Sequence, residues 1–178
     1  MRYRIRPATA DDVDAIVRVL IATKEACLAP LDARDRDVAF WTARWRRYLT
    51  TGSTAQMALG DGFALLAEDA GGAAVGFAGW HHTRRHGADA ELQSIYVLPA
   101  WQRRGVGTAL LVAVARQLAA DGSRSLCVGY DSGNPYKRFY ARHGAVEIDP
   151  HWAAWWDVRA SILGEPDVHF PPRRGDGL

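Results

Sequence analysis

Val97-Leu98-Pro99-Ala100-Trp101-Gln102-Arg103-Arg104-Gly105-Val106-Gly107-Thr108 is the stretch on which the reading of this chain turns. Ahead of it, residues 90–98 read as a strand. Behind it, Val106, Leu110, Leu111, Val114 and Leu118 recur at helical spacing over residues 105–120. The segment is a strand, a proline, a basic glycine turn and an amphipathic helix. Two glycines one residue apart expose successive backbone N–H groups where the helix begins. Those amides and the positive end of the helix dipole together make an anion site. Arg103 and Arg104 add charge beside it. A turn of this kind suits a phosphate-bearing ligand.

Outside that stretch, the 178 residues are enough for one compact domain with a sizeable core, expected over residues 1–165 with a loose tail at 166–178. A formal net charge of +2 is too weak for bulk nucleic-acid binding, and the Arg pairs at 46–47, 84–85, 103–104 and 173–174 are dispersed. Cys27 and Cys127 lack CxxC spacing and read as free thiols in a reducing compartment. The first residues lack the apolar stretch of a signal peptide, and no apolar run approaches the ~20 residues that span a bilayer. A cytoplasmic protein is expected.

The remaining elements follow from periodicity and turn signals. Residues 3–6 alternate as a short strand, and Thr9-Ala10-Asp11-Asp12 resembles a capping box before a helix ending near Cys27. A second helix over 38–49 carries Trp41, Trp45, Tyr48 and Leu49 on one stripe, and 50–62 is loop. Strands at 63–68 and 74–82 flank the turn Asp69-Ala70-Gly71-Gly72. After the strong helix come a strand at 125–129, a helix at 134–143, and closing strands at 145–148 and 155–160. The order β-α-α-β-β-β-α-β-α-β-β implies one mixed sheet with helices on both faces.

This order, with its glycine turn after the fourth strand, resembles the GNAT superfamily of acyl-CoA-dependent N-acetyltransferases over residues 4–163. The family's phosphate motif is Gln or Arg, two variable residues, Gly, one variable residue, then Gly or Ala. It stands here as Gln102-Arg103-Arg104-Gly105-Val106-Gly107. The family pattern of Asn followed six residues later by Tyr stands as Asn134 and Tyr140. The resemblance implies an α/β fold with a mixed, largely antiparallel sheet, and acetyl-CoA as co-substrate without a metal. It places the diphosphate on residues 102–108, with Gln102, Arg103, Arg104, Gly105, Val106, Gly107 and Thr108 contributing. It sets the pantetheine arm along the backbone of Ile95, Tyr96 and Val97, and Asn134 against the cofactor. A dinucleotide fold fits less well, because GxGxxG would need Gly where Leu110 stands. His81, His82 and His86 have a suggestive spacing, but nothing in the sequence completes a zinc set.

Acetyl transfer to an amine requires a base for the ammonium, polarisation of the thioester carbonyl, and a proton for the departing thiolate. Glu91, six residues before Val97, occupies a spacing at which some members of the family carry their catalytic glutamate, and burial would raise its pKa toward a useful range. The competing role is a strand carboxylate facing solvent or paired with an arginine. Asp89, His81 and His82 are the fallback bases. By the same resemblance Tyr140 is the general acid, against the alternative of a packed helix aromatic. A backbone N–H near Val97, where the fourth strand parts from the fifth, is the expected polarising group. Asn134 can also serve as a helix N-cap with Pro135 following it.

The acceptor side is walled in the family by the first two helices and the last two strands, which here carry Trp41, Trp45, Trp152, Trp155 and Trp156, with Trp80 ending the third strand. Taken singly, each Trp reads first as core or as an interface between copies, so a homodimer stays open. Asp35, Asp37 and Asp157 could draw in a cationic amine, or be solvated charges. The expected activity is direct transfer to the primary amine of a small molecule. The alternatives are a peptide N-terminal or lysine acetyltransferase and a non-catalytic acetyl-CoA sensor.

Overall fold

The computed structural model describes residues 2–28, 30–52 and 62–165. Seven strands form one sheet in the order β1-β2-β3-β4-β5-β7-β6: β1 Tyr3–Pro7, β2 Gly62–Asp69, β3 Ala74–His82, β4 Ala90–Val97, β5 Leu126–Gly129, β6 Val146–Asp149 and β7 Trp152–Trp155. Only β4 and β5 run parallel; the other neighbours are antiparallel. A parallel pair needs a crossover, and α3 (Val106–Ala120) supplies it. The helices α1 (Val13–Cys27) and α2 (Val38–Thr51) pack on one face with Ala64, Leu66, Ala74 and Phe77. On the other face α3 and Tyr140 of α4 (Lys137–Arg142) pack with Leu65, Ala67, Ala78, Ala90, Leu92 and Trp155. Alternation along β2, with Ala64 and Leu66 to one side and Leu65 and Ala67 to the other, is what a strand buried on both faces requires.

The expected stripe of α3 is the buried one: Val106, Leu110, Leu111, Val114 and Leu118 are all in the core. The Thr9 signal starts a single 3-10 turn, Ala10–Asp12, before α1 proper, with Thr9 N–H donating to Asp12 Oδ2 at 2.8 Å. Two sequence expectations are corrected. The last strand is Trp152–Trp155, and Arg159–Leu163 is a wide helical turn rather than part of a strand over 155–160. The fourth helix begins at Lys137 rather than 134, because Asn134 Oδ1 takes the Tyr136 N–H (2.8 Å) in a turn ahead of it. Most of the expected 50–62 loop and the expected tail at 166–178 lie outside the described residues.

Candidate active site

The strands β4 and β5 pair only at Ala90–Leu126, Glu91–Cys127 and Leu92–Val128, and then part. The gap opens some five residues before Val97, earlier than the sequence suggested. The register of β4 against β3 slips at the same level. Gly79 faces Ser94 and Trp80 faces Leu92, so β4 carries one extra residue, Gln93. A bulge of this kind bends its strand away from its neighbour. The result is a cleft of about 1290 Å³, lined by Glu91 to Val97 on one side, Val128 to Asp131 on the other, and α1, α3 and α4 around it.

At one end of the cleft lies the glycine turn. Gly105, with φ 84, is the residue before α3, and Arg103 ahead of it also takes a left-handed φ of 58. A side chain at 105 would have room, so its glycine is required by backbone conformation rather than by crowding. The first helical bond runs from Ala109 N–H to the Gly105 carbonyl at 2.9 Å. The amides of 106–108 precede it, in the opening turn where no carbonyl lies one turn back. Arg103, Gly105, Gly107 and Thr108 line the cleft, whereas the Val106 side chain is core and Arg104 lies outside the lining. Gln102 also lines it, but its Nε2 donates to the Val97 carbonyl (3.0 Å) and to Cys27 Sγ (3.3 Å), fastening the end of β4 to α1. His143 Nδ1 donates to the Phe139 carbonyl (2.8 Å), and its Nε2 lies 3.1 Å from Thr108 Oγ1, which ties α4 to the first turn of α3.

Tyr140 projects from α4 into the middle of the cleft, stacked on Tyr130 (5.7 Å) and edge-on to Trp155 (6.0 Å). Burial first, then Tyr96 and Tyr130, push its phenol well above the usual tyrosine range, so it keeps its proton. Asn134 lines the same wall, and Ile95, Tyr96 and Val97 run along the unpaired side of β4.

Glu91 stands at the far end. Its neighbours Ala90 and Leu92 are in the α3 core, so its side chain turns to the opposite face, between His81 on β3 and Cys127 on β5. Its side chain is 15% exposed, and Oε2 lies 3.5 Å from Arg85 Nε and 3.7 Å from His81 Nε2. Burial raises the Glu91 pKa, and Arg85 and His86 pull it partly back. His81, a fallback base, is buried, its pKa pushed down to about 4 by burial and then by Arg85, His82 and Arg44; it is neutral at pH 7. The other fallbacks are engaged elsewhere. Asp89 accepts from Arg124 N–H and Ser125 N–H, and His82 Nε2 lies 3.7 Å from Asp121. Burial lifts the Cys127 thiol to about 12, which removes it as a nucleophile.

Of the candidate acceptor-side groups, Trp45, Trp80 and Trp155 are core, Trp156 is exposed, and Trp41 donates to the Asp35 carbonyl with the Lys24 ammonium over its ring. Asp35 pairs with Lys24, Asp37 caps α2 by accepting from Phe40 N–H, and Asp157 accepts from Ala160 and Arg159 N–H; none of the three lines the cleft. Trp152 alone lines the cleft. Sequence reasoning passed over Arg85, Arg138 and Arg142, all in the lining. They sit in no local motif, and only their shared wall marks them. Among the described residues no group of three or more His, Cys, Asp or Glu gathers to hold a metal, and no helix is long and apolar enough to cross a membrane.

Residues 60–144, which contain β4, the glycine turn, α3, β5 and α4, match the family model for the acetyltransferase (GNAT) domain. This segment is a GNAT acetyltransferase domain. The uncharacterized N-acetyltransferase YuaI of Bacillus subtilis (strain 168) is 39% identical over 108 residues, which make up 58% of this chain and 62% of that protein. The fold matches the PaiA N-acetyltransferase of Thermoplasma acidophilum in complex with coenzyme A (TM-score 0.65, 16% identity, 86% of this chain and 98% of that one). It also matches a GNAT family acetyltransferase of Brucella melitensis in complex with acetyl-CoA (TM-score 0.61, 21% identity, 87% and 88%). At these identities the two structures speak for the fold. The GNAT domain here has the parted strands, the bulge and the glycine turn in one continuous cleft.

Proposed function

We propose that the protein is an N-acetyltransferase that moves the acetyl group of acetyl-CoA to the primary amine of a small molecule by direct attack, with both substrates bound at once. The observation that carries this reading is the alignment of three features along one cleft: the amides of 103–108, the Tyr140 phenol and the Glu91 carboxylate. The chain fits the donor. Arg103, Arg138 and Arg142 line the cleft and form no ion pair among the described residues, while the lining contains only two carboxylates, Glu91 and Asp131. A cationic rim beside an open helix N-terminus favours a polyphosphate ligand. Arg103, Gly105, Gly107 and Thr108 would hold the diphosphate, with Arg104 and Val106 supplying main chain. Ile95 to Val97 would carry the pantetheine arm, with Asn134 opposite.

Acetyl-CoA supplies the activated acyl group. The chain's part is to hold and move protons. Glu91, its basicity raised by burial, takes a proton from the ammonium directly or through water. Tyr140 Oη supplies the proton that the sulfur needs. An amide in the 93–97 segment, on the side of β4 that β5 has left, polarises the carbonyl. Of the two protons the ammonium sheds, one leaves through Glu91 and the other makes good the one given by Tyr140. The test is CoA thiol release over a panel of amines with wild type, Glu91→Gln and Tyr140→Phe. Turnover that drops in both variants supports the assignment; equal rates in all three refute it. Tight acetyl-CoA binding without turnover on any amine, or on peptides alone, would make the protein a sensor or a peptide acetyltransferase instead.

A further inference from the structure

The loop 83–89 between β3 and β4 is a rigid turn that presents one arginine to the cleft. Thr83 N–H closes its base on the Asp89 carbonyl at 2.9 Å. The Asp89 carboxylate then anchors it to the chain entering β5, accepting from Arg124 N–H (2.9 Å), Ser125 N–H (3.1 Å) and Ser125 Oγ (3.0 Å). Inside the turn His86 adopts φ 52, a left-handed conformation that a non-glycine residue keeps only where its surroundings impose it. This shape lays Arg85 and His86 on Trp152, with Arg85 Cζ 4.8 Å from the indole centroid and the His86 ring at 4.7 Å. Trp152 is itself seated on Gly129, where even a Cβ would come within 2.9 Å of the indole.

Arg85 therefore sits over an aromatic face, with its Nε 3.5 Å from Glu91 Oε2 and its side chain 54% exposed at the cleft. None of its guanidinium N–H groups donates a hydrogen bond among the described residues. A planar fork restrained by an aromatic face loses little freedom when it takes up a carboxylate in two parallel hydrogen bonds. Beside it stands a carboxylate that receives an ammonium. A fixed positive and negative charge 3.5 Å apart is complementary to a ligand carrying the same two charges in reverse order.

We propose that Arg85 binds a carboxylate of the acceptor, so that the acceptors are amino carboxylates, with the ammonium at Glu91 and the carboxylate against Arg85 on Trp152. This rests on the acetyltransferase reading and narrows its acceptor class. Simple amines lack the group that Arg85 holds, and their ammonium is repelled by it. The test compares pairs that differ by one carboxylate: phenylalanine and phenethylamine, tryptophan and tryptamine, lysine and cadaverine. Wild type should favour the carboxylated member of at least one pair by about 100-fold in kcat/KM, as a site built to hydrogen-bond a substrate group rejects the analogue lacking it. Arg85→Gln should reduce that preference to roughly 5-fold or less, chiefly through KM, and Arg85→Lys should restore it only in part. Acetyl-CoA affinity, read by calorimetry, should stay within about twofold in both variants. Equal or better use of the decarboxylated amines, a preference that survives Arg85→Gln, or no turnover of any amino carboxylate by protein that binds acetyl-CoA overturns the proposal alone. Wild-type protein that binds no acetyl-CoA overturns the acetyltransferase reading as well.

Discussion

At the proposed donor end of the cleft the groups invoked are main-chain amides of six consecutive residues, 103–108; at the proposed acceptor end they are side chains of Arg85, Glu91 and Trp152, drawn from a loop and two strands. The first is local chemistry. Its geometry is set by a left-handed glycine and the start of a helix, and it changes little if the rest of the sheet drifts. The second exists only because a tight turn, a seated indole and a strand register agree. A site made of backbone is hard to retune by side-chain substitution, whereas one made of converging side chains changes specificity with a single replacement. On this proposal the donor end is the fixed part of the site and the acceptor end the adjustable one.

Substitutions at each end should separate the two. Glu91→Gln should have the largest effect, lowering kcat by about 10³ while acetyl-CoA binding by calorimetry is unchanged, the scale of a lost general base. Undiminished turnover would remove Glu91 from the mechanism. Tyr140→Phe should lower kcat by about 10², at the lower edge of what proton transfer contributes. Because the phenol stays protonated well above the usual tyrosine range, no alkaline limb from Tyr140 should appear in the pH profile below that range. Gly105→Val must force a β-branched residue to φ 84; at 1–3 kcal/mol of strain, acetyl-CoA affinity should weaken by roughly 30-fold, with a cooperative melt retained.

The pH profile tests the acceptor end more finely. A base acts when deprotonated, and burial raises the Glu91 pKa, so kcat/KM should fall with decreasing pH at values above the ordinary glutamate range. Arg85 lowers that pKa, so Arg85→Gln should move the limb upward, and a limb that stayed in place would break the coupling between the two. The smallest effect on activity belongs to Glu68→Gln, far from either end. Glu68 accepts from Arg4 Nε (2.7 Å) and Arg6 Nε (2.9 Å) where β1 meets β2. Its loss should cost about 1–3 kcal/mol in urea titration and leave kinetics unchanged. In the same cluster Asp12 is held down to about 2, chiefly by its hydrogen bond to Arg6. A depressed carboxylate stabilises the fold above its unfolded pKa, so that contribution should be lost as pH falls through the acid range toward 2.

Much of the fold was legible because its signals are local and repeated. The stripe of α3 has a clean helical period, and the Asp69 turn fixes its hairpin by accepting the Gly71 and Ala73 N–H groups at 2.9 Å. The last strand was misplaced for a physical reason. Ala153, Ala154 and Trp155 are all buried, so the alternation that marks a half-exposed strand is missing there. The fourth helix was started too early because Asn134 does cap a turn, but one that precedes the helix. Arg85 looked like one more surface arginine, since nothing adjacent in sequence shows that Trp152 lies beneath it.

The sequence by itself determined the order of the strands and helices and the glycine turn that opens α3, because hydrogen bonds within a helix and the left-handed freedom of glycine depend on neighbours a few residues away. Only the tertiary structure decided where β4 leaves β5, at Leu92 and Val128, and therefore which side chains meet in the gap. That point is set by pairing between residues more than thirty positions apart. The side chains proposed to choose an acceptor come together only after the sheet has closed around them.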